Sequence, residues 1–496
     1  MPRGCHTFAA ILGIAGLILG SVAPAPTQQA GAAELYVGAA TVDITPAGPV
    51  ALAGQFNTRI SRRVATPLVA AAVALESREG ANRLDQAIMI SCDLVAIRDG
   101  LQERFRRHVA PRLPGLDVRK IFLNATHTHT APETLPGRGG FHYDIPKEGV
   151  IQPEEYVEFL VGRLGDAAVK AWESRKPGGV SWTFGHAVVG HNRRAVYANG
   201  TARMYGPTNT PEFRGFEGYE DHGVDMLFFW DRERQLQAIA INLACTAQEV
   251  ESQSEVNADF WHDVRERLHK EFSADVCVLP WVSAAGDQSP HLLWEKGAEG
   301  RMLKERGLTR IQEIGRRITG AVLDTLDVAR KDIRTDAPLV HRVEDLQLPL
   351  RIITPAEYAK AKALYEGLAK RTNLTDVDRG HMNRAQDTVE RFEKADQLPP
   401  YAMELHVVRL GDVAVATNPF ELFLDYGVQI KGRSPAVQTM LIQLACGSGG
   451  YLPTQKAIDG GSYSAEPPSN IVGPAGGQIL VDKTVETISA LWTHPK

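Results

Sequence analysis

Two histidines mark the first segment that has residues for chemistry. His127 and His129 lie in Asn-Ala-Thr-His-Thr-His-Thr, residues 124–130, directly after the apolar run Ile-Phe-Leu at 121–123. Side chains two residues apart point to the same side of a strand, so the pattern predicts that both imidazoles share one face. Neutral imidazole nitrogens are good zinc ligands. The segment therefore predicts a metal site at the end of a strand, with a pair of surface histidines as the alternative.

Two other polar segments follow apolar runs. Ser289 lies in the small-residue turn Ser-Ala-Ala-Gly-Asp-Gln-Ser-Pro-His, residues 283–291, and Glu421 follows Val-Ala-Val-Ala-Thr at 413–417. Such a turn presents a hydroxyl and backbone amides to a cleft, and the carboxylate is a potential metal ligand. The serine lacks the Gly-x-Ser-x-Gly pattern of an α/β-hydrolase nucleophile. An ordinary Gly-Asp turn and a helix cap at Glu421 are the alternative interpretations.

Later loops carry two tyrosines and a basic turn. Tyr451 lies in Tyr-Leu-Pro-Thr, and Tyr463 follows twelve residues later in a glycine-rich loop. Arg193 lies in Gly-His-Asn-Arg-Arg, residues 190–194. Taken singly, these segments are interpreted as packing tyrosines and a solvated basic turn.

Apolar strand-like runs alternate with helix-like runs along the chain. Strands are predicted at 68–76, 87–95, 120–125, 225–230, 236–244, 276–283 and 413–417, and helices near 99–111, 154–174, 258–272, 306–331 and 421–431. This alternation predicts an α/β or α+β fold around a large buried sheet. Residues 354–397 are predicted to form an inserted helical hairpin, because Thr-Pro-Ala-Glu at 354–357 is a capping box with proline at the first helical position.

The composition is that of an ordinary globular protein. The chain has 496 residues and a formal net charge of −5, and it is 44% hydrophobic and 23% charged. These values exclude a disordered polyelectrolyte, a collagen and a multi-span membrane protein. The mild acidity argues against a nucleic-acid partner. Five cysteines are too few for a disulfide scaffold, and those after Cys5 fit buried thiols and bridges equally well.

The N-terminus has the pattern of an export signal. Arg3 precedes an apolar run at residues 8–23, and small residues occupy 31–33. The apolar run is short for a membrane span. We therefore predict a signal peptide over residues 1–33, a mature domain over 34–496 and a secreted or periplasmic location. An uncleaved N-terminal anchor is the alternative.

Together and in this order, the polar segments resemble the motifs of the neutral/alkaline non-lysosomal ceramidase family. The resemblance spans about residues 35–480. The matching segments are the opening strand at 37–46, Thr-His-Thr-His at 126–129, Asn-Arg at 192–193, Gly-Asp-Gln-Ser-Pro at 286–290, Glu421 in Pro-Phe-Glu where the family has Pro-Gly-Glu, and the spaced pair Tyr451 and Tyr463.

The resemblance implies a single catalytic domain with a buried mixed sheet and one Zn²⁺ ion. It implies that the zinc ligands are His127, Glu421 and Tyr451. It also implies that Ser289 lies at the substrate amide beside the metal, and that the oxyanion donors are His129, Arg193 and Tyr463. Zinc lowers the pKa of bound water to about 7 and polarises a carbonyl, so one ion supplies a nucleophile and a Lewis acid.

The chain departs from the family in two places. Thr246 stands where the family has a second zinc histidine, and a threonine hydroxyl is a poor zinc ligand. The candidate replacements are polar side chains of the same stretch: Gln248 and His262 first, then Glu249 and Glu251. The immunoglobulin-like domain that usually follows in the family is expected to be missing.

The sequence thus predicts an exported zinc-dependent hydrolase that cleaves an amide bond by zinc-activated water. Ceramide-like N-acyl lipids are the family's default substrates, and peripheral contact with a membrane is an expected interaction. The first alternative is a zinc hydrolase of the same fold acting on another amide or ester. The second is a catalytically inactive binding protein that lost its metal with the second histidine. The acyl chain length and the oligomeric state stay open.

Overall fold

Two sheets with helices on their outer faces form the frame that positions the polar segments. The computed structural model describes residues 33–135 and 143–492. The strands are β1 Glu34–Asp43, β2 Val69–Glu79, β3 Asn82–Cys92, β4 Ile121–Ala125, β5 Lys176–His186, β6 His191–Asn192, β7 Arg194–Tyr197, β8 Ala202–Met204, β9 Phe213–Phe216, β10 Gly223–Asp231, β11 Leu236–Leu243, β12 Cys277–Val282, β13 Gln288–Ser289, β14 Leu339–Leu348, β15 Tyr401–Leu410, β16 Val413–Thr417, β17 Glu421–Leu422, β18 Gln438–Ile442 and β19 Tyr451–Leu452. The helices are α1 Leu101–Val109, α2 Pro153–Glu173, α3 Phe260–Glu271, α4 Lys296–Arg306, α5 Arg310–Asp324, α6 Leu326–Lys331, α7 Pro355–Ala369, α8 Asp376–Glu393, α9 Leu424–Arg433, α10 Gln455–Gly460 and α11 Pro474–Trp492.

The larger sheet is mixed and is buried on both faces. Its strand order is β12-β11-β10-β5-β1-β2-β3-β4, with parallel pairing in β11–β12 and β3–β4 and antiparallel pairing elsewhere. Successive residues of a strand face opposite sides. On β2, the even-numbered residues from 70 to 74 pack with α1 and α2, and the odd-numbered residues from 71 to 75 pack against the second sheet. Small alanines at most of these positions let both layers approach closely.

The second sheet completes a four-layer core. Its order is β14-β15-β16-β18, and α9 and α11 pack on its outer face. On the far half of the larger sheet, α3 and α5 cover the outer face. The layers therefore run helix, sheet, sheet, helix, which confirms the predicted α/β class with a large buried mixed sheet.

The predicted elements correspond closely to the observed ones, with one clear exception. The strand predictions match β2, β3, β4, β10, β11, β12 and β16. The single helix predicted over 306–331 is wrong, because α4 ends at Arg306, and α5 and α6 follow with a break at Thr325. Gly307 ends α4 in the left-handed conformation, with φ 64°, which glycine adopts without a Cβ penalty.

The inserted hairpin consists of α7 and α8. Thr354 and Glu357 form the reciprocal hydrogen bonds of the predicted capping box at the start of α7. Tyr358 on α7 stacks on Phe392 of α8, with ring centroids 4.4 Å apart. The two helices therefore stabilise each other as a unit.

Several sequence predictions concern the ends and the cysteines. Almost all of the predicted signal peptide, residues 1–33, lies outside the described residues. The signal peptide therefore stays a prediction. Within residues 33–135 and 143–492, no helix combines the length and the apolarity that crossing a bilayer requires. The cysteines in the described chain are unbridged: Cys92, Cys245, Cys277 and Cys446.

Glu76 provides a test of the fold's electrostatics. Its buried carboxylate pairs with Arg78 at 2.7 Å, with Arg175 at 2.9 Å and with Arg83. Burial raises its pKa, but the three arginines hold the pKa at about 2. We expect Glu76→Gln to lower the free energy of unfolding at pH 7 by about 3 kcal/mol, because it leaves buried guanidinium charge uncompensated.

The depressed pKa of Glu76 also predicts a pH dependence for this loss. The carboxylate stabilises the fold fully above its unfolded pKa of 4.5, and that stabilisation is lost as the pH falls through about 2. Urea unfolding of wild type and Glu76→Gln should therefore differ at pH 7 and converge as the pH falls from 4.5 towards 2. A difference that does not change with pH would contradict this assignment.

Candidate active site

The segments that follow five strand ends meet at one edge of the two sheets. Backbone hydrogen bonds join these ends in three places: Ala125 to Leu444, Ser283 to Leu243 and Gln443 to Val282. They bring together the carboxyl ends of β4, β11, β12 and β18, and the parallel pairing of β16 with β18 adds the fifth. Ligand sites of α/β folds form at such carboxyl ends. The predicted metal and catalytic segments that follow these strands therefore lie in one region.

His127 presents its Nε2 atom to the site. Its Nδ1 lies 2.6 Å from the carbonyl oxygen of Val95 and donates to it, which leaves Nε2 as the nitrogen turned towards the site. Metal-binding histidines are oriented in this way. The interpretation that His127 and His129 share a strand face is wrong, since β4 ends at Ala125 and the φ of His127 is 66°. The left-handed turn nevertheless brings the two rings together, with centroids 4.7 Å apart.

His129 packs between His127 and Gln248. Its Nε2 lies 3.2 Å from Nε2 of His127 and 2.9 Å from the amide nitrogen of Gln248. Gly54 closes over the ring, where its φ is 92° and a Cβ would lie 2.5 Å from the imidazole. Burial, together with His127 and nearby arginines, lowers the pKa of His129 well below its ordinary value. The imidazole is therefore neutral at pH 7.

Of the two leading replacements for the missing histidine, only Gln248 reaches this cluster. Gln248 is buried beside His129, and the hydroxyl of Thr246 donates to its carbonyl oxygen at 2.5 Å. His262 lies in the first turn of α3, half-buried, with Glu266 among its charged neighbours. The structure does not bring His262 to the site.

Glu421 and Tyr451 meet through the parallel pair β17–β19. Oε2 of Glu421 lies 3.4 Å from Nε2 of His127, and this buried atom has no hydrogen-bond partner among the described residues. The Tyr451 hydroxyl hydrogen-bonds to the same carboxylate. Burial raises the pKa of Glu421, but His127 and Arg193 hold it below its ordinary value. Burial and the neighbouring Glu421 raise the pKa of Tyr451 well above its ordinary value.

Arg193 is the buried cation of the site, with 1% of its surface exposed. Its Nη1 donates to the Tyr205 hydroxyl at 3.0 Å, and its Nη2 donates to the Gly286 carbonyl at 2.9 Å and the Tyr451 hydroxyl at 3.3 Å. The same Nη2 lies 3.9 Å from Oε2 of Glu421. Burial lowers the pKa of Arg193, but Tyr205, Tyr451 and Glu421 raise it well above its ordinary value. A permanent positive charge therefore faces the carboxylate and the phenol.

The Gly-Asp turn holds Ser289 beside the Arg193 segment, because β13 pairs with β6. The turn needs glycine at 286, where a Cβ would lie 2.3 Å from the Glu421 carbonyl oxygen. Ser289 is fully buried, and within the described residues its hydroxyl has one hydrogen-bond partner, the backbone amide of His291 at 3.3 Å. The base that activates a serine nucleophile is not among its partners.

Tyr463 joins the site to a cavity of about 410 Å³. Its ring packs edge-to-face on Tyr451 at 5.6 Å and on Phe56 at 5.4 Å. Burial raises the pKa of Tyr463 to about 12. The hairpin and the loops beside it line the cavity with mostly apolar atoms, from Phe56, Ala361, Leu364, Ala385, Tyr463 and Pro467 among others.

The side chains around Glu421 fit a zinc ion. Nε2 of His127, the Glu421 carboxylate and the Tyr451 hydroxyl come from three distant segments to one buried point. Zinc bonds of about 2.0–2.1 Å in tetrahedral geometry separate two ligand atoms by about 3.4 Å, which matches the 3.4 Å between His127 and Glu421. A buried carboxylate oxygen without a partner is costly, and a cation would compensate it.

A second cluster, in the interior near β15, has its donors already engaged. Glu404, His406 and Cys446 place one ligand atom each within 4.8 Å of one another, and they are the only such trio of His, Cys, Asp or Glu in the described chain. His406 hydrogen-bonds to Glu404 at 2.6 Å and to His341 at 2.9 Å, and Arg106 donates twice to Glu404. A metal there would have to displace these bonds, so the cluster fits a structural charge network.

Two contributors to the site were missed from the sequence. Tyr205 supports Arg193, and its left-handed φ of 54° is visible only in the structure. Arg59 donates to the carbonyl oxygens of His129 at 2.6 Å and Glu251 at 2.7 Å, which ties two site loops together. No local motif marks either residue, and Arg59 acts across 70 and 192 residues of sequence.

Solved structures with similar folds come from the ceramidases. Neutral ceramidase from Pseudomonas aeruginosa matches with a TM-score of 0.67 and 17% identity, over 92% of this chain and 75% of that chain. A ceramidase complexed with C2 matches with a TM-score of 0.66 and 15% identity, over the same shares. No protein-family model and no curated protein sequence matches the chain. At these identities the likeness establishes the fold. The chain therefore has the neutral ceramidase fold that its motifs predicted.

Proposed function

We propose that the chain is an exported, zinc-dependent amidohydrolase that acts on a ceramide-like N-acyl lipid. The observation that carries the proposal is the meeting of His127, Glu421 and Tyr451 at one buried point within a neutral ceramidase fold. The test measures zinc per chain and turnover on a panel of N-acyl amides and esters that includes ceramide. Ceramide hydrolysis with one zinc per chain supports the proposal, whereas turnover of other amides or esters alone favours the first alternative.

In this proposal His127, Glu421 and Tyr451 hold the zinc. When bound, zinc lowers the pKa of a water molecule and polarises the substrate carbonyl. Three protein ligands are the usual number in a catalytic zinc site, so the loss of a histidine at Thr246 is compatible with activity. Gln248 is not assigned as a ligand, because its amide nitrogen rather than its oxygen faces the histidines.

The chain's own polar groups act on the substrate amide. Arg193 and Tyr463 are the proposed donors to the oxygen that becomes negative in the transition state, and one such donor typically contributes about 3–4 kcal/mol. Arg193 is held in place by Tyr205 and Gly286, so it needs no reorganisation during the reaction. His129 lies beside His127 and is the third polar side chain at the site. The burial of these groups excludes water and strengthens their electrostatic interactions.

The cavity beside Tyr463 is the proposed site for the acyl chain. Its volume of about 410 Å³ lies within the range of about 300–1,000 Å³ that ligand pockets occupy. Phe56 and Leu364 contribute apolar surface, and the hairpin provides one wall. We also propose that the enzyme reaches this lipid by peripheral contact with a membrane.

Filling this cavity should change the preferred chain length. Ala361 of α7 lines the cavity, so Ala361→Trp is expected to lower kcat/KM on long-chain N-acyl amides about tenfold relative to acetyl amides, a change typical of altered apolar pockets. Ala363→Trp is the matched control, since Ala363 is exposed on the same helix and does not line the cavity. Equal effects of the two substitutions on every chain length would remove the cavity from acyl binding.

Ser289 is expected to position the amide rather than attack it. We predict that Ser289→Ala lowers turnover by about 10²-fold, because misplacing a reacting carbonyl is costly. Mass spectrometry of quenched reactions should find no acyl group on Ser289 in the wild type. Ser283→Ala, at the buried start of the same turn, should retain turnover within a few-fold. Trapping an acyl-serine would contradict this division of labour.

Thr246 favours one rival function, an inactive binding protein of the same fold. Such a protein would hold no zinc and would hydrolyse nothing in the panel, while still binding ceramide. Restoring the family residue with Thr246→His gives a direct comparison. If the wild type lacks zinc and the variant binds it, the rival is favoured.

A further inference from the structure

Arg384 is a buried cation of the inserted hairpin to which the proposed reaction assigns no role. It lies on α8 with 7% of its surface exposed, and it lines the cavity beside Tyr463. Its guanidinium carbon lies over the ring of Tyr463, 5.3 Å from the centroid, and over the ring of Phe56, 5.7 Å from the centroid. A cation within about 6 Å of an aromatic centroid is attracted to the face of the ring. The hairpin therefore places a positive charge against a proposed oxyanion donor.

The same guanidinium is also linked to the backbone of Tyr463 through one serine. Nη2 of Arg384 donates to the hydroxyl oxygen of Ser469 at 2.7 Å. The Ser469 hydroxyl in turn donates to the backbone carbonyl oxygen of Tyr463. Ser469 is itself buried, so little water competes for these bonds. Arg384 thus contacts the ring of Tyr463 directly and holds its backbone through Ser469.

The backbone that leads to Tyr463 does not fix the tyrosine by itself. Gly461 and Ser462 both have left-handed φ values, 76° and 81°. For a residue with a Cβ, such as Ser462, this conformation is sparsely populated and persists only where the surrounding structure holds it. The position of Tyr463 therefore depends on its tertiary contacts. These are the guanidinium of Arg384, the Ser469 hydroxyl and the edge-to-face packing described above.

We propose that Arg384 is a positioning residue that holds the Tyr463 hydroxyl where it donates to the developing oxyanion. The inference rests on the proposed amidohydrolase function. Oxyanion donors are effective because they are preorganised and need no reorganisation at the moment of reaction. Arg384 acts through Tyr463 and does not touch the substrate amide itself. The hairpin thus contributes to catalysis as well as to the wall of the cavity.

A purely structural Arg384 would only fasten α8 to the loop that follows Tyr463, and the chain offers a matched control for that role. Arg391 lies seven residues later on α8, on the same side of the helix. Its guanidinium donates to the carbonyl oxygens of Pro467 at 2.9 Å and Asn470 at 2.8 Å in that loop. In the part of the chain that the structure describes, it has no ring contact with Tyr463.

The first test is spectroscopic and does not depend on turnover. In full-length protein labelled with fluorotyrosine, the ¹⁹F signal of Tyr463 is identified by its loss in Tyr463→Phe and should be narrow in the wild type. We expect Arg384→Met to broaden or split this signal, because a ring without its cation samples several orientations. Arg391→Met should leave the signal as in the wild type. A signal that stays narrow and unsplit in Arg384→Met, even at a new position, would overturn the proposal.

The second test is kinetic and uses an acetyl amide, which leaves the cavity empty. Arg384→Met should lower kcat about 10- to 100-fold with KM and zinc content near the wild-type values, because displacing a donor costs part of what its removal costs. Arg384→Lys should recover part of the loss, since lysine keeps the charge but not the planar fork. In a Tyr463→Phe background, Arg384→Met should lower kcat no more than about threefold further, because the donor is already absent.

The control and the substrate panel separate positioning from other roles. Arg391→Met should keep kcat within about threefold of the wild type, and Arg384→Lys takes the place of Arg384→Met in both tests if the methionine variant does not fold. Equal losses in the two methionine variants, or an undiminished effect of Arg384→Met in the Tyr463→Phe background, would reject positioning. A loss confined to long-chain amides would also reject it, since Arg384 would then act in acyl binding. If wild type hydrolyses no amide in the panel, the proposed function fails, while the fluorine spectrum still decides whether Arg384 holds the ring.

Discussion

Replacing His127 or Glu421 by alanine is expected to remove zinc from the protein and abolish amide hydrolysis. The two ligand atoms lie 3.4 Å apart, and the Glu421 oxygen has no other partner among the described residues. With one of them lost, only two of the three proposed protein ligands remain, fewer than catalytic zinc sites use. Zinc measured by metal analysis should fall from one per chain to background, and activity should fall by about four orders of magnitude or more, a loss comparable with that of other essential catalytic groups.

A control variant distinguishes the proposed zinc site from the second cluster. Cys446→Ala removes one of the three potential ligands beside Glu404 and His406. It should leave the zinc content and the turnover unchanged, because that cluster is already satisfied by internal hydrogen bonds. If His127→Ala retains zinc and Cys446→Ala loses it, the zinc binds at the second cluster and the proposed site is wrong. Full activity of the wild type in a strong chelator would reject a zinc mechanism altogether.

Many strands of the two sheets could be predicted, because burial leaves a recognisable pattern of apolar residues in the sequence. Strands buried on both faces, such as β4 and β16, are continuous apolar runs and are visible without a structure. β14 was not predicted, because polar and charged residues interrupt its apolar ones in Leu-Val-His-Arg-Val-Glu-Asp-Leu-Gln-Leu. The pairing of β14 with β15 spans a hairpin insertion and could not be predicted from local sequence.

The residues of the candidate site could be proposed from the sequence, but their geometry could not. His127 and Glu421 are almost three hundred residues apart, and no spacing rule brings them together. Only the order of the motifs, compared with a known family, suggested their convergence. The left-handed turn at His127 and the orientation of the Gln248 amide depend on tertiary neighbours. Such features lie beyond a prediction from local propensity.

Thr246, which stands where the ceramidase motif has a histidine, makes a hydrogen bond that affects its neighbours. A threonine hydroxyl both donates and accepts, and here it donates to Gln248. This bond turns the amide nitrogen towards His129 and Glu251. A hydrogen-bonded chain thus runs from Thr246 through Gln248 to His129. The threonine therefore helps to order a neighbouring imidazole.

Arg193→Lys is expected to lower kcat by about 10²- to 10³-fold with a smaller effect on KM. A donor that acts mainly on the developing oxyanion contributes to the transition state rather than to substrate binding. Lysine keeps the charge, but it cannot reproduce the fork that contacts the Tyr205 hydroxyl, the Gly286 carbonyl and the Tyr451 hydroxyl. The measurement is steady-state kinetics on the best amide of the panel, with zinc content determined in parallel.

Arg409→Lys controls for the removal of a buried guanidinium. Arg409 is also buried, but it binds the carbonyl oxygens of Gly411 and Leu491 and has no hydrogen bond to the site. We expect this variant to lose thermal stability and to keep kcat within a few-fold per folded enzyme. If Arg193→Lys instead loses zinc or raises KM while kcat is kept, Arg193 supports the metal ligands or the substrate rather than the transition state. A kcat loss at full zinc occupancy and an unchanged melting temperature would establish that the guanidinium acts on the reacting amide.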